Sequence, residues 1–328
     1  MNSQQQSTAW FVVRFALLLL SAGVLASCRD AKPTATKEPI RVVVTVAPLA
    51  GLARPFLPEG GELRTLMAPG RSEHGYEFTP DDLAALGRAD VVVLVGLGLE
   101  PKVEQFLREH PSPTRQVVNF GQTVGIQTPQ DAEHQGNGGD AQAVESDHVH
   151  DEHCDHGHGP DPHLWLDPIL VAQVVPAIRS AVQTAESARG SAKIEHMAAV
   201  ESKVLADVLA VDDEYRQGLA GHKGNEIVTH HSAWGRLADR YGLSVAQVLR
   251  PVEAVEPDPS HMAAVVEAIK VRRVAAVFIE PQYDAGAAKR IADAAGVKVL
   301  TLDPIGTGDW VAMMRSNLAT LRSAFEGR

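Results

Sequence analysis

The sequence predicts an α/β protein of two lobes, each with a central, mostly parallel sheet flanked by helices, the lobes joined by one long rigid helix. Three observations carry this. Short β-branched runs alternate with helical stretches from residue 40 onward. The alternation occurs twice, which makes two lobes rather than one long sheet. Between the two series, Ile194, Met197, Val204, Val208, Val211, Tyr215 and Leu219 recur at helical steps and form one apolar stripe. No proline or glycine interrupts Ser191 to Leu219 except Gly218, so the connection reads as a strut and not a hinge.

The elements follow in chain order. Arg14 precedes an apolar run, Phe15 to Leu25, that is far short of the ~20 residues needed to span a bilayer. It fits the core of a signal peptide over residues 1–27. Leu25-Ala26-Ser27-Cys28 resembles a bacterial lipoprotein processing site, with lipid carried on Cys28. Residues 28–39, polar and proline-containing, read as a flexible tether. The first lobe, 40–189, takes strands from Ile40–Val46, Leu63–Met67, Asp90–Val95 and Gln116–Phe120. Thr79-Pro80-Asp81-Asp82 opens a helix: a hydroxyl to cap, a proline for the first turn, acids at the positive end of the dipole. Pro101–His110 is a further short helix. Residues 128–160 have almost no large apolar side chains and read as a disordered, histidine- and acid-rich insertion. The linking helix takes 190–221. The second lobe, 222–328, has strands at Glu226–Thr229, Ser244–Leu249, Val274–Ile279 and Val297–Leu302. Its helices lie at Ala233–Tyr241, Ser260–Val271, Ala285–Ala295 and Trp310–Phe325.

Composition narrows the function. The 328 residues carry a net charge of −11 and are 45% hydrophobic, enough for two real cores. That balance, with no basic aromatic patch, excludes nucleic acid as a partner. There are two cysteines, Cys28 and Cys154. With Cys28 lipidated no intrachain disulfide forms, and Cys154 is a lone thiol among the tract histidines.

The chemistry rests on donors for a divalent metal. A zinc site takes about four ligands from His, Cys, Asp and Glu. His74 follows the second strand, in a loop begun by Pro69-Gly70. His163 precedes Leu164-Trp165-Leu166-Asp167-Pro168, where a helix starts. His230 and His231 follow one strand and Asp303 another. In parallel α/β sheets ligands gather outside the carboxyl ends of strands, so each lobe supplies donors to a cleft between them. Adjacent side chains on extended backbone point oppositely, so only one of His230 and His231 faces that cleft; spacing does not say which. Glu280, just after a strand, is a ligand, a partner for an imidazole or a cap. Glu73 is a weaker candidate ligand beside His74. In the insertion His148, His150, His153, Cys154, His156 and His158 alternate with acids and suit weak, multivalent metal capture.

Six stretches carry a resemblance: Pro69-Gly70-Arg71-Ser72-Glu73-His74-Gly75-Tyr76-Glu77-Phe78-Thr79-Pro80, Asp161-Pro162-His163-Leu164-Trp165-Leu166-Asp167-Pro168, His231-Ser232-Ala233-Trp234-Gly235, Glu256-Pro257-Asp258-Pro259-Ser260, Glu280-Pro281-Gln282 and Leu302-Asp303-Pro304-Ile305-Gly306. In this order they resemble the zinc-uptake solute-binding proteins of bacterial ABC importers, within the wider zinc/manganese receptor family. The resemblance implies His74, His163 and His231 as imidazole ligands, Asp303 as the carboxylate ligand, and a two-lobed fold with a rigid interlobe helix. It selects His231 over His230. His230 departs from the family pattern, which is usually apolar there, so exchange between the two rings stays open.

The implied function is an extracytoplasmic, lipid-anchored, monomeric receptor that binds Zn2+ and hands it to an ABC importer permease. Three imidazoles favour zinc over manganese, whose receptors use more oxygen. A zinc hydrolase is the competing class, with Glu280 as base. The chain has neither a His-Glu-x-x-His helix nor a Gly-x-Ser-x-Gly elbow, so the carrier reading is preferred and no enzyme is expected.

Overall fold

Valine-rich runs that can be buried on both faces set the architecture. The structure, a computed structural model, describes residues 38–68, 70, 76–126, 159–190, 195–251 and 257–326. His74, Glu73, Cys28, the signal and tether through residue 37, and all but the last two residues of the 128–160 insertion lie outside the described residues.

The first lobe opens with β1 (Arg41–Val46), α1 (Ala47–Ala53) and a 3-10 turn at Arg54–Phe56. It continues with β2 (Glu62–Met67), α2 (Pro80–Arg88), β3 (Val91–Leu94), α3 (Pro101–Glu109), β4 (Gln116–Asn119) and the short α4 (Phe120–Thr123). Its four strands are all parallel in the order β2-β1-β3-β4. Every residue of β3 is buried, as a central parallel strand requires. Alternation splits the valines between two layers. Val43, Val92 and Leu94 pack with Leu86 and Val103 on one face. Val42, Val44, Val91 and Val93 join the main core on the other. The cap expected at Thr79 forms in full: its side chain accepts the Asp82 N–H (3.2 Å), and Asp82 Oδ2 accepts the Thr79 N–H (3.0 Å).

After a 3-10 turn at Leu164–Leu166 come two long helices, α5 (Pro168–Ala188) and α6 (Glu195–Gly218), packed on each other. Asp167 caps α5 by accepting the N–H groups of Ile169 and Leu170. Of the expected stripe, Ile194 lies outside the described residues; Met197, Val204, Val208, Val211 and Tyr215 of α6 are all buried, as is Leu219 just beyond it. This helix touches the Arg54–Phe56 turn of the first lobe and the last helix of the second. The connection is thus stiffer than a lone strut, because α5 lies alongside it.

The second lobe comprises β5 (Glu226–Thr229), α7 (Gly235–Tyr241), β6 (Ser244–Val248), α8 (Pro259–Arg272), β7 (Ala276–Ile279), α9 (Gly286–Ala295), β8 (Lys298–Thr301) and α10 (Trp310–Glu326). The order β6-β5-β7-β8, again all parallel, repeats that of the first lobe. Val228 and Val277 pack against Val265, Ile269 and Ile291 on the outer face. Ile227, Ala276 and Phe278 belong to the same main core as β1 and α5. One continuous apolar core therefore runs through both lobes. Their backbones also meet: a Cβ on Gly51 of α1 would lie 2.8 Å from the Gly308 carbonyl oxygen and 2.8 Å from the Trp310 nitrogen. Among the described residues no helix is long and apolar enough to cross a membrane.

Candidate metal centre

Strand β5 ends at Thr229 and delivers two adjacent imidazoles. Thr229 donates its hydroxyl to the His231 carbonyl (3.0 Å), and the Arg250 N–H donates to the His230 carbonyl (2.8 Å). Both rings are buried, but they point to different partners. His231 Nδ1 is hydrogen-bonded to Glu280 Oε1. Glu280 stands at the end of the neighbouring strand β7, is only 1% exposed, and accepts from Gln282 Nε2 through its other oxygen (2.8 Å).

His163 belongs to the stretch that leads into α5. Its Nδ1 lies 2.7 Å from Asp161 Oδ1, which also accepts the His163 N–H (2.9 Å). Burial works to raise the Asp161 pKa. The adjacent His163 ring, its hydrogen bonds and the Arg236 guanidinium outweigh that, and the carboxyl is held below its usual range. Asp161 is therefore a firm anion at neutral pH.

A carboxylate can only accept, so the hydrogen-bond network assigns a proton to Nδ1 of each ring. Each Nε2 is then the acceptor nitrogen of its ring. The two Nε2 atoms lie 3.2 Å from one another, both rings buried, with centroids 5.1 Å apart. Two lone pairs so placed repel unless a proton or a cation sits between them. Ligands on a tetrahedral zinc with bonds of ~2.0–2.1 Å stand ~3.3 Å apart, close to this spacing. A carboxylate behind each imidazole is also the arrangement that fixes tautomer and raises basicity in histidine ligands.

The second lobe clamps the His163 segment. Arg236 donates twice to the Asp161 carbonyl (3.0 and 2.7 Å), and Arg240 pairs with Asp167 (2.7 Å). The Trp165 indole donates to the Pro304 carbonyl (2.6 Å), and the Trp310 indole donates to the Trp165 carbonyl (2.7 Å). Pro304 adjoins Asp303, so these bonds tie the Asp303 turn to the His163 segment. Asp303 follows β8 and is half-buried. Its Oδ1 accepts the N–H groups of Ile305 (3.0 Å) and Gly306 (2.8 Å), and Asn317 brackets its backbone from α10. The turn uses Oδ1; among the described residues no hydrogen bond to Oδ2 is formed.

His230 finds a different neighbour. Its ring stacks on Tyr283 (centroids 4.1 Å apart), whose ring also carries the Arg250 guanidinium at 5.9 Å. Burial, then the charges of His231 and Arg250, push its pKa down to about 4, so the ring is neutral. Among the described residues, the group whose donor atoms all lie within 4.8 Å of one another is His230, His231 and Glu280. His163 meets His231 without completing such a group, and Asp303 stands outside it.

The model of the family described as "Zinc-uptake complex component A periplasmic" matches residues 42–324. The chain belongs to this family. Relatives include the zinc-binding protein AdcA of Streptococcus pyogenes, 26% identical over 310 residues, spanning 89% of this chain and 57% of that protein. The zinc-binding lipoprotein AdcA of Streptococcus pneumoniae is 26% identical over 322 residues, spanning 94% of this chain and 60% of that protein. The chain thus spans under two thirds of the length of these relatives. A crystal structure of ZnuA superposes with a TM-score of 0.67 at 20% identity, covering 87% of this chain and 98% of that one. It establishes the fold as that of the zinc-uptake family.

Against that family background, two features were missed by sequence reasoning. Asp161 appeared only as part of a motif, although an aspartate two residues before a histidine is a familiar local acceptor. The Trp165–Pro304 and Trp310–Trp165 bonds join residues far apart in the chain and left no local signal. Glu280, left open by the sequence as ligand, imidazole partner or cap, is hydrogen-bonded to His231 Nδ1.

Proposed function

We propose that this chain is an extracytoplasmic receptor that binds Zn2+ between its lobes and delivers it to an ABC importer in the membrane. The observation that carries this reading is the pair of buried Nε2 atoms 3.2 Å apart, each imidazole backed by a carboxylate. His163 and His231 supply two ligands; His74 and the Oδ2 of Asp303 complete the set. Neutral imidazole suits zinc better than manganese. Glu280 is engaged by His231 and Gln282, which leaves it poorly placed to activate a water and favours carriage over hydrolysis. Lipid on Cys28 anchors the receptor outside the membrane. The histidines of residues 128–160 gather metal weakly beside the cleft, and the receptor works as a monomer.

Structural zinc sites are worth about 10–16 kcal/mol, so each of four ligands accounts for roughly 3 kcal/mol, or ~100-fold in affinity. His163→Ala is therefore expected to weaken zinc binding ~100-fold or more in a chelator-competition titration. Undiminished affinity overturns the assignment. Manganese competing on equal terms with zinc in the same titration overturns the choice of metal.

A further inference from the structure

The carboxyl ends of β5 and β7 hold a donor that the interlobe pair does not use. His230 is 4% exposed, and its Nδ1 has no hydrogen-bond partner. A buried imidazole nitrogen left in this way is costly and calls for an explanation. The nearest acid is Glu280, whose Oε1 lies 3.9 Å from His230 Nδ1, too far for a hydrogen bond. Two metal–ligand bonds of about 2.1 Å span that gap. His231 closes the set, with one donor atom from each residue within 4.8 Å of the others. All three residues come from the second lobe, whereas the interlobe position needs His163.

We propose that His230, His231 and Glu280 form a second divalent-cation position, lying wholly in the second lobe, that is occupied in alternation with the interlobe position. This rests on the reading that His163 and His231 share an ion. The two positions exclude each other because they share the His231 ring. With an ion on Nε2, the ring proton sits on Nδ1 and is donated to Glu280. With an ion on Nδ1, the single proton moves through solvent to Nε2, and the Glu280 carboxylate is released to the metal. The ring stays neutral in both states. An ion passing between them gives up its bonds to His163 and to His231 Nε2 and gains His230, Glu280 and His231 Nδ1. The position is thus a staging point, loaded or emptied when the first-lobe ligands withdraw.

The test uses the full chain with glutamine at the histidines of residues 128–160, so that only ligands of the folded body remain. In that background His163→Ala is compared with His163→Ala/His230→Phe by zinc competition and by cobalt(II) absorption. Phenylalanine keeps a ring to stack on Tyr283 while removing the nitrogens. The expected result is that the single variant retains weakened binding of one zinc. The double variant loses a further ~10-fold or more and changes the cobalt spectrum. His230→Gln, of similar size and polarity, is expected to lose affinity in the same direction, and thermal melts confirm that each variant is folded. A folded double variant that binds zinc and cobalt as the single one does overturns the second position while leaving the interlobe site standing. Undiminished binding by His163→Ala overturns the interlobe pairing and this inference with it.

Discussion

In the first lobe the carboxyl ends of β1 and β3 close around Glu100; in the second, the ends of β5 and β7 present His231 and Glu280. The strand orders of the two sheets are the same, so both acids occupy the crevice where successive connections leave in opposite directions. Glu100 is consumed internally. Its Oε1 accepts the Thr45 hydroxyl (2.5 Å) and the Val95 N–H (2.9 Å), and its Oε2 accepts the Gly96 N–H (2.9 Å). Burial dominates those bonds and pushes its pKa up to about 7. Glu280 instead commits one oxygen to an imidazole whose far nitrogen faces the other lobe. The difference teaches that topology supplies a crevice but not its use. An acid answered by its own backbone seals the crevice, and an acid answered by a histidine turns it toward a ligand.

Three substitutions probe that contrast, beginning with the largest effect. The folded value of Glu100, about 7, lies above its ordinary 4.5. Between those values the folded chain holds a proton that the unfolded chain has lost. Stability contributed by Glu100 is therefore complete below pH ~4.5 and falls as pH rises toward 7, by about 3 kcal/mol. Urea unfolding at the two ends of this window is expected to show that decline in the wild type and not in Glu100→Gln, with zinc affinity unchanged. Equal pH slopes, or lost zinc binding, would break the comparison. Next, Glu280→Gln is expected to lower zinc affinity by up to ~100-fold in competition titrations, since it removes the anion behind the proposed ligand His231. If the effect matched that of Glu100→Gln, the two acids would not differ in role. Asp161→Asn is the smallest, about 10-fold, because Arg236 still holds the segment in place. A loss as large as that of His163→Ala would make Asp161 a ligand.

Much of the scaffold could be read in advance because its causes are local. The β-branched run at Ile40–Val46 must be buried on both faces, and Thr79 with Asp82 must cap whatever helix follows. The strand Glu226–Thr229 was expected with the bounds it has. The alternation of side chains on extended chain led to the expectation that His230 and His231 face apart; in the structure both rings are buried and both approach Glu280. It did not say where the His230 ring would go, because Tyr283 arrives from a different strand end. The same limit hid the carboxylate behind His163: its distance depends on how a loop curls, not on composition. The full extent of α5 was equally obscure, since Pro176 lies within it and local propensity argues for a break there. Packing of Val171, Val174, Val175 and Ile178 into the core overrides that preference.

Trp165 and Trp310 carry one last implication. Each buried indole is satisfied only while the stretch before α5 stays seated against the Asp303 turn and the start of α10. Swinging the halves apart like the covers of a book would strand both N–H groups in an oily interior, at a cost of about 1–3 kcal/mol each. Any ligand entering between the halves would then have to be admitted by short segments at the mouth of the cleft. The outline of the molecule would then change little whether the space between the halves is empty or filled.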